Sequence, residues 1–258
     1  MPLLIKNCRL LIDSKIFSKN IFIKNGKIAK ITNKEQKADE SIDAKNNLVL
    51  PGLIDCHVHM REPGLTQKED FLTGSMAAAK GGITTFLDMP NTIPATITIA
   101  ALEEKRNLAK KSIVNYGFNF GATSENINDI KKAKNIAAVK VYMDYTTGDM
   151  KLSESDAIAE IFKSSGIAIV HAEGENVKSA VEIMEKSKIR NHLHVAHVSS
   201  EKELKYAKLN KIKKQISVEV TPHHLFMNEK DLQRLGAFAE MKPRLKTDRK
   251  STRLNSSH

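Results

Sequence analysis

The sequence predicts an α/β fold: a (β/α)8 TIM-type barrel that is incomplete, with about seven of its eight strands, preceded by a small N-terminal β-sandwich module. Three observations carry this reading. From about Leu48 onward, short apolar strands alternate with helices of about three turns. The strands are near-continuously apolar, the pattern of a parallel sheet covered by helices on both faces. No phosphate-loop or dinucleotide glycine fingerprint breaks the series, which favours a barrel over an open doubly wound sheet.

The elements follow in order. Residues 3–10 and 20–24 read as short strands, and 27–31 as a return strand across the Asn25-Gly26 turn, because Asn-Gly tolerates positive φ at both central positions. Residues 33–40 are a polar loop. Residues 1–50 thus form part of a β module too small to be stable unaided. The barrel, 51–246, has expected strands at 53–57, 82–89, 116–121, 137–143, 167–171, 193–198 and 217–220. A helix over 67–80 ends at Gly81-Gly82, a helix stop. Ser153, with Asp156 three residues on, reads as a capping box opening a helix that stops at Gly166. A full barrel takes about 250 residues, more than remain after Gly52, so a C-terminal truncation is expected. Residues 247–258 lack periodicity and an apolar face and read as a non-native or disordered tail. Asp248 lies there and is not nominated for any role.

Composition narrows the function. The net charge is +11, yet aromatic residues are 5%, tryptophan is absent and no basic block is interleaved with stacking residues. That argues for a solvated lysine-rich surface and against a nucleic-acid partner. No apolar run of 18 residues exists, so no membrane-spanning helix is expected. The first residues carry no secretory pattern, and two cysteines, Cys8 and Cys56, cannot make a disulfide framework, so a reduced cytoplasmic setting is expected.

Reactive side chains of such a barrel sit at the C-terminal ends of strands. The first expected barrel strand ends Asp55-Cys56-His57-Val58-His59, and alternation points both imidazoles to one face. Cys56 then points away and reads as a buried strand residue. Lys140 lies in the apolar run Ala138-Val139-Lys140-Val141-Tyr142, where a charge is costly unless removed or paired. His171 ends the fifth strand. His194 and His197 lie in the sixth, on opposite faces by alternation, and His194 reads as structural. A lone strand-end histidine is usually a hydrogen-bonded structural residue. Four of them with one buried lysine, all at the same end of one barrel, point to a binuclear metal site.

The run Pro51-Gly52-Leu53-Ile54-Asp55-Cys56-His57-Val58-His59 resembles the opening barrel strand of the amidohydrolase superfamily. Met60-Arg61-Glu62-Pro63-Gly64, Gly81-Gly82-Ile83-Thr84-Thr85 and Asp88-Met89-Pro90-Asn91-Thr92 resemble dihydroorotases in particular. The resemblance runs from about Leu3 to Lys246. It implies two Zn2+ per subunit. His57 and His59 hold one, His171 and His197 the other, and an N6-carboxylated Lys140 bridges them. Arg61 and Asn91 are implied to hold a substrate carboxylate. Glu219-Val220-Thr221-Pro222-His223-His224 resembles the seventh-strand segment and leaves open which histidine faces the site. Lys242 and Arg244 depart from the family's Asn-Pro-Pro-Leu-Arg-type loop.

The implied activity is that of a zinc-dependent cyclic amidohydrolase: reversible closure of N-carbamoyl-L-aspartate to L-dihydroorotate, a step of pyrimidine synthesis. The expected partner is this small molecule, and a homodimer is compatible with it. One alternative is a hydantoinase or allantoinase. Another is an inactive fragment or scaffold, since the family's eighth-strand Asp, its general base, has no counterpart after Lys246 and the chain as given is expected to be incomplete.

Overall fold

The computed structural model describes residues 1–146, 150–208 and 215–247. The chain divides into two compact units, Met1–Leu53 and Ile54–His258. The tail expected at 247–258 lies, Thr247 apart, outside the described residues.

The described part of the first unit is one four-stranded sheet. It consists of β1 (Leu3–Ile12), β2 (Lys15–Lys24), β3 (Lys27–Thr32) and β4 (Glu40–Asp43), in the order β3-β2-β1-β4. The β2–β3 hairpin turns on Asn25 and Gly26, with φ of 54° and 71°, the left-handed pair that a two-residue loop demands. β4 pairs parallel to β1 and is an addition to the elements legible in the sequence, because Glu40-Ser41-Ile42-Asp43 is too polar to read as a strand. Cys8, Leu10 and Ile21 are buried together on one side, while Phe17, Ile28 and Ile31 are exposed.

The second unit is built on seven strands: β5 (Leu53–Val58), β6 (Ile83–Asp88), β7 (Asn115–Gly121), β8 (Ala138–Tyr142), β9 (Ile167–His171), β10 (His192–Val195) and β11 (Ile216–Val218). They lie in the order β11-β10-β9-β8-β7-β6-β5, and each successive pair from β6 to β11 is parallel. Helices fill the crossovers: α1 (Phe71–Lys80), α2 (Ile99–Leu108), α3 (Ile127–Lys132), α4 (Ser155–Ser164), α5 (Glu175–Lys186) and α6 (Glu201–Lys208). Short helices α7 (Pro222–Phe226) and α8 (Glu229–Leu235) follow β11. This is an incomplete TIM-type barrel, with β5 and β11 as the outer strands of the described sheet.

Two helix starts differ from expectation. α1 begins at Phe71 rather than Gln67, because the Asp70 side chain accepts from the Thr73 amide at 2.8 Å and Thr73 returns a bond to the Asp70 amide. That capping box fixes the start. At α4, Glu154 rather than Ser153 occupies the cap position and makes no side-chain cap bond. The Ser153 hydroxyl contacts Glu154 Oε1 at 3.3 Å instead.

Strand alternation sorts the core into two layers. Val139, Val141, Val170, Leu193 and Val195 pack outward with Ile158, Phe162 and Val181 of the helices. The opposite face holds a much smaller apolar cluster, Met89, Ala138, Ile169 and Ala196. It is small because Lys140, Tyr142 and His171 take the neighbouring positions on that face. Phe86 of β6 is fully buried, stacked on Phe71 at 6.3 Å and near Tyr116. Replacing Phe86 with Ala is expected to cost about 3–5 kcal/mol in urea unfolding, whereas Phe238→Ala, at a residue 94% exposed, should stay within about 0.5 kcal/mol.

Candidate metal centre

Four of the expected residues form a chain of imidazoles at the C-terminal ends of the strands. His57 sits on β5 and His59 one residue beyond it, with ring centroids 5.4 Å apart. His57 and His197 are 5.3 Å apart, and His197 and His171 4.5 Å. Lys140, in the middle of β8, is 1% exposed, with Nζ 5.3 Å from the Tyr142 ring centroid. Arg61 and Asn91 line the same cavity of about 610 Å³ as His57, His59 and His197; Lys140 and His171 are not among its lining residues. The cavity wall thus carries three of the five expected ligands, His57, His59 and His197, together with Arg61 and Asn91.

His171 Nδ1 and His197 Nε2 share a hydrogen bond at 2.8 Å, while His57 and His59 are each oriented by a side-chain oxygen. The carbonyl Oδ1 of Asn91 accepts from His59 Nδ1 at 2.7 Å. Glu219 Oε1 accepts from His57 Nδ1 and, at 3.0 Å, from the His197 amide; its Oε2 accepts from His194 Nε2 at 3.0 Å. With Nδ1 donating in both His57 and His59, Nε2 is the nitrogen left as a lone-pair donor, the arrangement that fixes tautomer and ring angle in metal-bound histidines.

Burial sets the charge states. It drives His57 and His197 down from the ordinary imidazole value and His59 to about 3, with the neighbouring cations adding to the effect. All three are neutral at pH 7, the form that ligates metal. Burial lowers Lys140 from 10.5 to about 7, opposed only by the Glu219 charge, so a substantial fraction is free amine at neutral pH. Burial alone would raise Glu219, but hydrogen bonds from His194 and His57 outweigh it and hold the carboxyl below its usual range.

Among the described residues, the buried polar atoms Lys140 Nζ, Tyr142 Oη, His171 Nε2 and His197 Nδ1 have no hydrogen-bond partner. An unmet buried group costs about 1–3 kcal/mol, and four of them here describe a site built for something polar. Among the described residues, His, Cys, Asp and Glu alone form no group of three or more that could hold a metal ion. The orphaned atoms add Lys140 to the donors. A lysine amine converted to a carbamate would give the set the anionic oxygens it lacks, and in that form the residues present fit a divalent metal pair.

Some expectations need correction. Cys56 is exposed rather than buried, because β5 is an outer strand. His194 is not on a remote face: β10 ends at Val195, His197 lies beyond it with φ of 38°, and His194 contacts Ser217 Oγ and Glu219. Alternation cannot be carried past the end of the strand. Of the pair left open, His223 lines the cavity, whereas His224 is buried and bonded to Thr221 Oγ1 and the Pro243 carbonyl. Glu219 is the functional residue that the sequence reading missed. Its signal was a carboxylate immediately after a strand, passed over beside two histidines.

The Amidohydrolase family profile matches residues 48–236. A dihydroorotase of Methanosarcina acetivorans is 37% identical over 94% of this chain and 61% of its own length. One from Methanosphaera stadtmanae is 37% identical over 95% of this chain and 64% of its own. The chain thus spans less than two thirds of the length of these two dihydroorotases. The multifunctional protein CAD of Squalus acanthias is 35% identical over 81% of this chain and 10% of its own. Among solved structures, an L-hydantoinase (dihydropyrimidinase) of Arthrobacter aurescens superposes with a TM-score of 0.87 at 26% identity, covering 98% of this chain and 65% of that one.

The lowered Lys140 value has a consequence for stability. The folded amine releases its proton near pH 7 and the unfolded one near 10.5. Between these values the unfolded state binds more protons, so this group makes stability rise with pH. In metal-free, CO2-free buffer Lys140→Met should therefore gain on the wild type by on the order of 3–5 kcal/mol at pH 7, with the gap narrowing toward pH 10. Urea unfolding at both pH values checks this. A gap equal at both would mean that the amine is not held in its neutral form.

Proposed function

This chain belongs to the amidohydrolase family, and from that premise we propose that its site is that of a zinc-dependent dihydroorotase, which interconverts N-carbamoyl-L-aspartate and L-dihydroorotate with loss or gain of water. The observation that carries this reading is the common cavity. Arg61 and Asn91 share its wall with His57, His59 and His197, and Lys242 and Arg244 line it too. A ring bearing a carboxylate fits such a wall. The guanidinium offers a planar fork for the carboxylate, and the relatives named dihydroorotase support the same substrate.

Each residue has a task. His57 and His59 would hold one Zn2+, His171 and His197 a second, with carboxylated Lys140 between them. The metals would supply Lewis-acid polarisation of the ring carbonyl and a water acidic enough to ionise near neutral pH. The free amine of Lys140 would add to CO2: an N–C bond forms as one C=O π bond opens, the nitrogen gives its proton to solvent, and an anionic carbamate results. Glu219 holds His57 in the Nδ1–H tautomer and, through the His197 amide, ties the two middle members of the imidazole chain together. Asn91 does the same for His59 while facing the cavity. Arg61 binds and orients the substrate carboxylate.

Both cysteines are free, and no helix among the described residues is long and apolar enough to cross a membrane. A reducing cytoplasmic setting, with the small-molecule substrate as principal partner, fits this reading.

The test is a comparison of two ring amides. Zinc-loaded protein should carry two metals per chain by atomic absorption. By titration calorimetry it should bind L-dihydroorotate at least tenfold more tightly than hydantoin, which has no carboxylate. Arg61→Met should remove about 1–3 kcal/mol of the dihydroorotate affinity and leave hydantoin unchanged. Equal affinity for the two rings would replace this reading with that of a hydantoinase.

A further inference from the structure

Asp88 and Lys105 form an ion pair away from the imidazoles, and both are fully buried. Asp88 closes β6, and Lys105 comes from α2. The pair is fastened to two backbone segments. Asp88 Oδ1 accepts from the Met60 amide at 2.8 Å, and Oδ2 accepts from Lys105 Nζ at 2.8 Å. Lys105 Nζ also donates to the Met89 carbonyl at 3.0 Å, and the Met89 amide donates to the Val58 carbonyl at 2.9 Å. Met60 lies between His59 and Arg61, and Met89 two residues before Asn91. Just past β5 the ladder has ended, and Arg61 stands at φ of 63°, a conformation that a bulky residue keeps only when its surroundings enforce it.

We propose that the Lys105–Asp88 pair is a positioning device for the site: it locks the backbone after β5 to the backbone after β6, and so sets His59 against Asn91 and aims Arg61 and Asn91 at the same ligand carboxylate. The argument turns on what an apolar pair could not do. A buried ion pair is seldom more stabilising than well-packed apolar residues of the same volume. Apolar residues could fill this space, but they could not give the Met60 amide, in the His59–Met60 peptide, an acceptor. The inference rests on the dihydroorotase reading for the identity of the carboxylate ligand, but not for the placing of His59.

Two double variants separate positioning from stability. Asp88→Asn/Lys105→Met removes both charges and keeps an oxygen for the Met60 amide. Asp88→Leu/Lys105→Met removes both charges and the oxygen. Melting temperature, Zn2+ affinity and L-dihydroorotate affinity are measured on the full chain. The proposal expects similar melting temperatures, with the Asn variant, which keeps the Met60 tether and loses the Lys105–Met89 one, binding both probes more weakly than wild type but at least threefold more tightly than the Leu variant. The Leu variant should bind dihydroorotate at least tenfold more weakly and Zn2+ measurably more weakly. If the Leu variant does not fold, Asp88→Ala/Lys105→Met makes the same comparison. Affinities that are alike in the two doubles, or that follow melting temperature across the set, would overturn the proposal. A wild type that binds Zn2+ but not dihydroorotate would sink the dihydroorotase reading alone, and the pair would be judged on Zn2+. A wild type that binds neither would sink both.

Discussion

The site depends on one constraint: the Lys140 amine is buried on the inner side of the sheet with no hydrogen-bond partner for its nitrogen among the described residues. Outward-facing Val139 and Val141 secure the strand against the helices, so β8 cannot turn to release the lysine to solvent. The cost of burying the charge is met by losing the proton. Burial depresses His57, His59 and His197 in the same way, so these three present neutral nitrogens. Glu219 is the exception, a carboxylate kept ionised by the histidines it orients. Local structure, packing and charge state are therefore one problem with one solution.

Much of the barrel was legible because its strands are buried on both faces. Val139, Val141, Val170, Leu193 and Val195 are apolar for packing reasons, and the polar interruptions at Lys140 and His171 stand out against them. The same contrast made the four histidines and the lysine visible. What was not legible depends on contacts between segments distant in sequence. Nothing local to Glu219 says that it will meet His57, and nothing in a helical Lys105 says that it will be fully buried against Asp88. His194 and Cys56 depart from expectation for two separate reasons: alternation does not carry past the end of β10, and β5 is an outer strand. β4 was missed because its pairing with β1, not its own pattern, makes it a strand.

The two polar networks divide the work. The Glu219 network spans β5, β10 and β11 and ties His57 to the His197 backbone. The Asp88–Lys105 network spans the ends of β5 and β6 and ties the Met60 segment to that of Asn91. One steadies the candidate ligands and the other the candidate substrate grip. Each draws on a side chain outside the ligand set itself, in keeping with the general need for supporting bonds around a metal centre. A barrel scaffold carries many chemistries, so the substrate class rests on these side chains and not on the fold.

The most direct test of the central claim is carbon NMR on zinc-loaded protein equilibrated with 13C-bicarbonate. The account predicts one labelled carbamate per chain, absent in Lys140→Ala together with the bound zinc. A Lys140→Ala protein that keeps both metals, or a wild type that takes up zinc without the label, would contradict it.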